Sequence, residues 1–469
     1  MLPEVRALCE KNGIQPERIK SLNDKKVKKA RYVLYWMQAS QRTRFNHALE
    51  YAVLAANNLG LPVIVVFGLS EDYPEANERH YYFMLEGLEE VEKSLKERGM
   101  KLVVRRQSPY LAALELAREA ALVIVDRGYL RIQRYWREQV ARQTSSLVAQ
   151  VESDVVVPVE SASAKEEYSA ATLRPKLQRM LGRYLKQVPE SFPCQDSLSI
   201  DLESFDVSDA QDAITRLNID RAVGKSRFFR GGATEACNHL EEFVETKLDA
   251  YGELRNDPTC DCLSNMSPYL HFGQISPVEI ALKVLDSGSP GAGAYLEELI
   301  VRRELAMNYA FHNQAYDSFE AVPDWAKETL AGHRSDKRPF MYSLEELESA
   351  LTCDAYWNAS QEQMRITGKM HSYMRMYWGK KIIEWSASAE EAFNRAVYLN
   401  NKYEIDGRDP NGFAGVVWCF GKHDRAWGEK PVFGKVRSMT SGGLRRKFDA
   451  DKYVRTVERL GELDAKPES

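Results

Sequence analysis

Through the first third of the chain, short runs of β-branched and apolar residues alternate with stretches of helical periodicity. Residues 32–36, 63–67, 102–105 and 122–126 read as strands. The windows 45–59, 80–98 and 111–119 between them read as amphipathic helices. The valine-rich run 155–159 is expected to supply a fifth strand. Strands separated by helices need crossover connections, so the expected sheet is mostly parallel and covered on both faces.

Residues 160–206 are polar and loop-like, with one helical window near 177–186 and prolines beyond it, and they read as a linker. From about residue 210 the strand signal fades. Helical windows follow at 233–251, 277–285, 294–312, 343–351, 361–385 and 389–399. The expected organisation is an α/β domain with its linker over residues 1–190 and an all-α domain over residues 206–461. After the first strand comes MQASQRTRFNHAL in place of a GxGxxG turn, which disfavours a standard dinucleotide site.

Composition narrows the function classes. No apolar run approaches the roughly 20 residues of a membrane span, and MLPEVRALCEKNG lacks the apolar core of a secretory signal. The seven cysteines are scattered and odd in number; only Cys260 and Cys262 are close, which gives no zinc framework and suits a reducing cytoplasm. No metal is expected. A net charge of −4 argues against indiscriminate nucleic-acid binding, yet residues 421–459 carry eleven bases against five acids, net +6. That segment is interleaved with Trp427, Phe433 and a Gly-Gly pair, which suits a phosphate-gripping surface.

Three stretches carry candidate chemistry. GKMHSYMRMYWGKKIIEW (368–385) has helical spacing, and its buried stripe would hold His371, Arg375, Trp378, Ile382 and Trp385. A buried arginine requires an anionic partner, either a carboxylate or a bound cofactor. Six of the eight tryptophans lie in the helical part. Trp378 and Trp385 are two turns apart on one face, a spacing compatible with core packing and with an aromatic route for electrons. LSNMSPYLHFGQISP (263–277) gathers hydroxyls and backbone donors ahead of a helix, as an anion site does. LNNKYEIDGRDPNGFAGVVWCFGKHDRAW (399–427) reads as a tightly turned loop that offers Asp406 as a partner for Arg375.

Taken in order, GKMHSYMRMYWGKKIIEW, NNKYEIDGRDPNGFAGVVW, FGKVRSM with RRKFD, and YWMQASQRTRFNHALEYA (35–52) resemble the class II DNA photolyases over most of residues 30–450. The resemblance implies a Rossmann-like antenna domain followed by a helical domain that holds FAD, with reduced FADH⁻ as the active state. By that resemblance Tyr251 and the turn Leu263, Ser264, Asn265, Met266 and Ser267 hold the phosphates and ribityl chain, with Arg302 as a further phosphate contact. Arg375 and Asp406 form an ion pair beside the isoalloxazine, and Asn400 faces flavin N5. DGRDPNG departs from the DGD motif of class I enzymes, so no role passes to Gly412.

The implied activity is light-driven repair of cyclobutane pyrimidine dimers, by electron transfer from excited flavin to a flipped-out dimer. Glu298 would hydrogen-bond a dimer base, Met376 and Trp418 would line the apolar side of the pocket, and Arg255, Lys435 and Arg437 would grip the strands. Trp378, Trp357 and Trp385 would refill oxidised FAD, with Trp378 nearest the flavin. A deazaflavin or folate antenna would suit the α/β crevice, where residues 38–44 could line it. The implied partner is UV-damaged DNA, for a monomer in the cytoplasm or, in a prokaryote, at the nucleoid. The alternative on the same architecture is a blue-light-sensing cryptochrome; the lesion-facing Glu298 and Trp418 and the basic segment favour repair.

Overall fold

The computed structural model describes residues 5–465. Its sheet comprises β1 (Ile19–Ser21), β2 (Tyr32–Trp36), β3 (Val63–Gly68), β4 (Lys101–Arg105), β5 (Ala120–Asp126) and β6 (Leu147–Val151), in the order β1-β6-β5-β2-β3-β4. All pairings are parallel except the antiparallel edge β1–β6. Every residue of β2, β3 and β5 is buried, as strands covered on both faces must be. The period of two sorts β2 between two cores. Val33 and Tyr35 pack with the helix His47–Leu59, whereas Leu34 and Trp36 pack against Ala113, Leu116 and Val140. The chain runs from central β2 outward to β4, then returns to lay down β5 and β6 on the other side. That reversal leaves a crevice at the carboxyl ends of the strands.

The fifth parallel strand is β6, and the expected strand at 155–159 is absent. Val155, Val156 and Val157 are fully buried, but their backbone is satisfied by ionic side chains. Arg18 donates to the carbonyls of Val155 (3.1 Å) and Val156 (2.6 Å), and Glu304 accepts from the amides of Val156 (2.6 Å) and Val157 (3.3 Å). The linker then shields the open edge of the sheet: Phe205 N–H donates to the Val104 carbonyl (2.9 Å), and Ser204 Oγ accepts from Val104 N (2.9 Å). Val207, Ala213 and Leu217 continue into the core beneath Val33 and Tyr35.

The remainder is helical. Four helices matter for the site: α1 (Ala355–Thr367), α2 (Ser372–Trp385), α3 (Ala389–Tyr403) and α4 (Pro410–Cys419). Two expectations change here. The window 361–385 is not one helix; α1 ends at Gly368, whose left-handed backbone (φ 83°) suits glycine, and a Cβ there would lie 2.6 Å from Ile405. His371 then caps α2, its Nδ1 accepting from Tyr373 N at 3.2 Å. Nor is 399–427 only a loop, because α4 occupies its middle. Asp409 caps α4 by accepting from Asn411 N (2.8 Å), and Pro410 fills the first helical position, where no N–H is needed. No helix among the described residues is long and apolar enough to cross a membrane.

Candidate functional site

The arginine that stood out in the sequence lies between two carboxylates. Arg375 Nη2 is 2.9 Å from Glu404 Oε2 and 3.4 Å from Asp406 Oδ1. Burial works against its charge, but the two acids outweigh it and raise its pKa. Burial alone would raise Asp406; Arg375, a hydrogen bond from Ser267 and the charge of Lys369 instead hold it below the usual range. Glu404 is fully buried, and burial pushes it up to about 8, Arg375 opposing and Asp406 adding. The expected pair is therefore a triad, and Glu404 is the member that sequence reasoning missed.

The 263–267 turn adjoins this triad. Asn265 adopts a left-handed conformation (φ 55°), and its side chain accepts from Lys369 Nζ at 2.9 Å. Tyr295 donates to Ser264 Oγ at 3.1 Å, and its ring meets Tyr251 edge-on at 5.3 Å. Asn400 is buried, its amide donating to Asn401 Oδ1 at 3.2 Å, and a Cβ on Gly412 would approach that amide to 3.0 Å. The neighbourhood retains unused donors. Among the described residues Arg375 Nε has no hydrogen-bond partner; nor does His371 Nε2, on an imidazole that burial and Lys369 bring down to about 3. Unpaired buried donors beside hydroxyls and a compensated guanidinium fit a ligand rich in carbonyl and phosphate oxygens, as FAD is. Arg302 does not join them; more than half exposed, it places Nε 3.3 Å from the surface carboxylate of Glu297.

The tryptophans form a row. Trp378 and Trp357 lie parallel (6°) with ring centres 6.4 Å apart, and Trp385 meets Trp357 edge-on at 5.5 Å. The order is thus Trp378, Trp357, Trp385. Beyond Trp385 stands half-buried Tyr342, at 5.2 Å. Trp357 Nε1 donates to the Trp378 carbonyl (3.0 Å) and Trp378 Nε1 to Gln361 (2.9 Å), so both indoles are fixed in orientation.

Met376 and Trp418 line one small cleft together with Lys380, Asp424, Arg437 and Met439. Trp418 is only partly buried, so it is not a core residue. Arg255 and Glu298 pair with each other at 2.7 Å, each side chain about one-third exposed; Glu298 sits in the π-helical turn Glu297–Arg302. Burial lowers Lys447, and the charges of Arg437 and Arg255 lower it further. Lys435 is exposed, its backbone tied to Thr329 Oγ1 at 3.0 Å.

A second, larger cavity of about 150 Å³ opens in the crevice at the strand ends. Gln38 and Gln41, from the expected stretch, line it with Tyr73, Trp136, Asp154 and Arg408. Among the described residues the Gln38 amide, Gln41 Oε1 and Asp154 Oδ1 have no hydrogen-bond partner.

Comparison with known proteins agrees with this architecture. The family model described as DNA photolyase matches residues 33–194. The deoxyribodipyrimidine photo-lyase of Methanothermobacter thermautotrophicus is 52% identical over 448 residues, which cover 95% of this chain and 99% of that one. The protein of the same name from Arabidopsis thaliana is 39% identical, covering 91% of this chain and 89% of its own. Among solved structures, a class III photolyase from Agrobacterium tumefaciens superposes with a TM-score of 0.70 at 18% identity, covering 94% of this chain and 91% of that one. An archaeal photolyase from Sulfolobus tokodaii with two FAD molecules gives 0.69 at 15% identity, covering 92% and 93%. A parallel-sheet region joined to a helical body with these motifs, and relatives this similar over nearly their whole length, place the chain in the photolyase/cryptochrome family.

Proposed function

We propose that the protein repairs cyclobutane pyrimidine dimers in DNA with light, through a reduced FAD held by the 263–267 turn, Tyr251, Asn400 and the Arg375 triad. The observation that carries this is the layout of α2. Within four residues it presents Arg375 to the carboxylates, Met376 to the cleft with Trp418, and Trp378 to the aromatic row. One rigid element thus joins a charge-compensated cofactor cradle, a substrate cleft and an electron route.

When bound, reduced FAD supplies a photoexcited electron to the dimer and receives it back after the ring has split. The chain's part is to position and to exclude. Arg375 keeps its charge against burial and would hold the flavin's electron-rich edge, while Glu404 and Asp406 compensate it. Trp418 and Met376 offer an apolar wall to a dimer rotated out of the duplex, which costs least at a damaged, poorly stacked step. Glu298 would accept from a dimer base once Arg255 turns from it to the strand. Lys435, Arg437 and Lys447 would neutralise phosphates.

The cavity at the strand ends suits a second chromophore, a deazaflavin or a folate, whose polar edge Gln38, Gln41 and Asp154 would satisfy. The Sulfolobus relative, with its two FAD molecules, is a precedent for two chromophores on this fold. The test is an absorption spectrum of the purified protein, followed by repair of a dimer-containing oligonucleotide in light and in darkness. Flavin absorbance without light-dependent repair would refute the proposal.

A further inference from the structure

Lys380 is 3% exposed, yet it lines the cleft that holds Met376 and Trp418. A buried ammonium is costly unless it is paired, so its partner matters. Its Nζ donates to the carbonyl of Cys419, the last residue of α4. Helix ends leave carbonyls without intrahelical donors, and the last three of α4 each have a partner. Phe420 N takes the Val417 carbonyl (3.0 Å) and Gly421 N takes the Trp418 carbonyl (3.0 Å), which leaves Cys419 to Lys380. A cation is the favoured partner there, because the helix dipole is negative at that end. The approach of the two helices is built in as well. A Cβ on Gly379 would lie 2.7 Å from Cys419 Sγ, so glycine lets α2 reach α4 closely enough for the adjacent lysine to span the gap.

Met376 and Lys380 are one helical turn apart on α2, and Trp418 precedes Cys419 on α4. The cleft's two apolar walls therefore stand on two helices joined at this bond. We propose that Lys380 is the positioning residue for lesion recognition: by tying the end of α4 to α2 it fixes Trp418 relative to Met376 across the cleft. The inference rests on the reading of that cleft as the lesion site.

Protonation gives the tie a signature. The charged groups around Lys380 are Asp424 and Arg437, with the Cys419 thiol between the helices. Burial pushes Lys380 down to about 8; Arg437 pushes the same way, and Cys419 and Asp424 oppose. Burial raises the Cys419 thiol and lowers His423, in each case away from this range. Below about pH 8 the bond is charge-assisted; above it a neutral amine remains and the hold weakens.

The experiment measures affinity for an oligonucleotide with one thymine dimer relative to the intact oligonucleotide, at pH 7, 8 and 9, on the flavin-loaded protein. The wild-type ratio is expected to fall about five- to tenfold across this range. Lys380→Met should start about tenfold lower at pH 7 and stay flat, with flavin absorbance and melting temperature close to wild type. Lys380→Arg should keep the wild-type ratio at pH 7 and hold it to pH 9, because guanidinium does not titrate there. If Lys380→Met unfolds, the arginine variant decides: a wild-type fall with pH in that variant overturns the inference. Full discrimination in Lys380→Met, with discrimination lost in Trp418→Ala, overturns the role of Lys380 and leaves the cleft reading standing. Full discrimination in both variants overturns both.

Discussion

Replacing Trp357 with phenylalanine tests the aromatic row at its middle. The indole is fully buried, stacked 6.4 Å from Trp378 and 5.5 Å from Trp385, and its one polar atom bonds the Trp378 carbonyl. Phenylalanine removes that hydrogen bond, for about 0.5–1.5 kcal/mol. The carbonyl lies inside α2 and keeps its helical donor, so nothing is left unpaired. The smaller ring also leaves a void; full truncation of a buried tryptophan costs about 3–5 kcal/mol, so this partial loss costs about 1–2. The sum of about 1.5–3.5 kcal/mol is tolerable against a typical total of 5–15, and the variant should fold with its flavin. A phenyl ring is much harder to oxidise than indole, so the relay between Trp385 and Trp378 is broken. Bleaching of the oxidised flavin under blue light, with a thiol as reductant, should slow severely. Repair should stay near normal once the flavin is reduced with dithionite, because the reaction itself exchanges electrons only between flavin and dimer. Bleaching at the wild-type rate would show that electrons enter elsewhere and that the row is packing alone.

Trp418→Ala should keep the fold and flavin but lose discrimination for dimer-containing DNA by about 5- to 150-fold, the equivalent of 1–3 kcal/mol of stacking; an unchanged affinity ratio in a binding titration refutes this. Lys435→Ala and Arg437→Ala should each reduce the slope of log affinity against log salt by about 1, and an unchanged slope removes that residue from the phosphate interface. Arg375→Met strands Glu404 and Asp406 and should cost about 3–5 kcal/mol, read as a lower melting temperature and lost flavin absorbance after gel filtration. Retention of both would mean that the two acids are neutralised by something other than Arg375.

The parts of this fold that were readable in the sequence are those whose cause is local. β2, β3 and β5 announce themselves because strands buried on both faces are continuous apolar runs. The misread valines at 155–157 look the same, but what determines them, Arg18 and Glu304, lies more than a hundred residues away in either direction. Gly368 marked a helix end that periodicity ran straight through; the residue that demands glycine there is Ile405, remote in sequence. α4 had a local signal that was passed over: Asp409-Pro410 is a cap followed by a first-turn proline, hidden among turn dipeptides. In the site, Arg375 advertised its need for a partner, and Asp406 answered. Glu404 was invisible because a glutamate at the end of α3 reads as solvated until the fold buries it. The order of the tryptophans likewise needed the packing of α1 against α2, which stacks Trp357 on Trp378.

The stretch from Asn400 to Trp418 serves three places in turn. Asn400 and Asp406 stand at the proposed flavin cradle, Arg408 and Asp409 at the second cavity, and Trp418 at the cleft. Arg408 holds a left-handed backbone (φ 58°) that costs a non-glycine residue about 1 kcal/mol, secured by the Asn401 side chain, which accepts its amide at 2.9 Å. Such a segment behaves like a toothed rack engaged with three gears. Side chains along it can be exchanged one at a time, and each exchange disturbs one engagement. One residue inserted within α4 ahead of Trp418 would instead turn the indole by about 100° and advance it by about 1.5 Å, out of the cleft and off the Cys419–Lys380 tie. One residue inserted before Asp409 would separate the cap from the cradle. What the three places share is therefore the length of the segment, more than the identity of any residue in it.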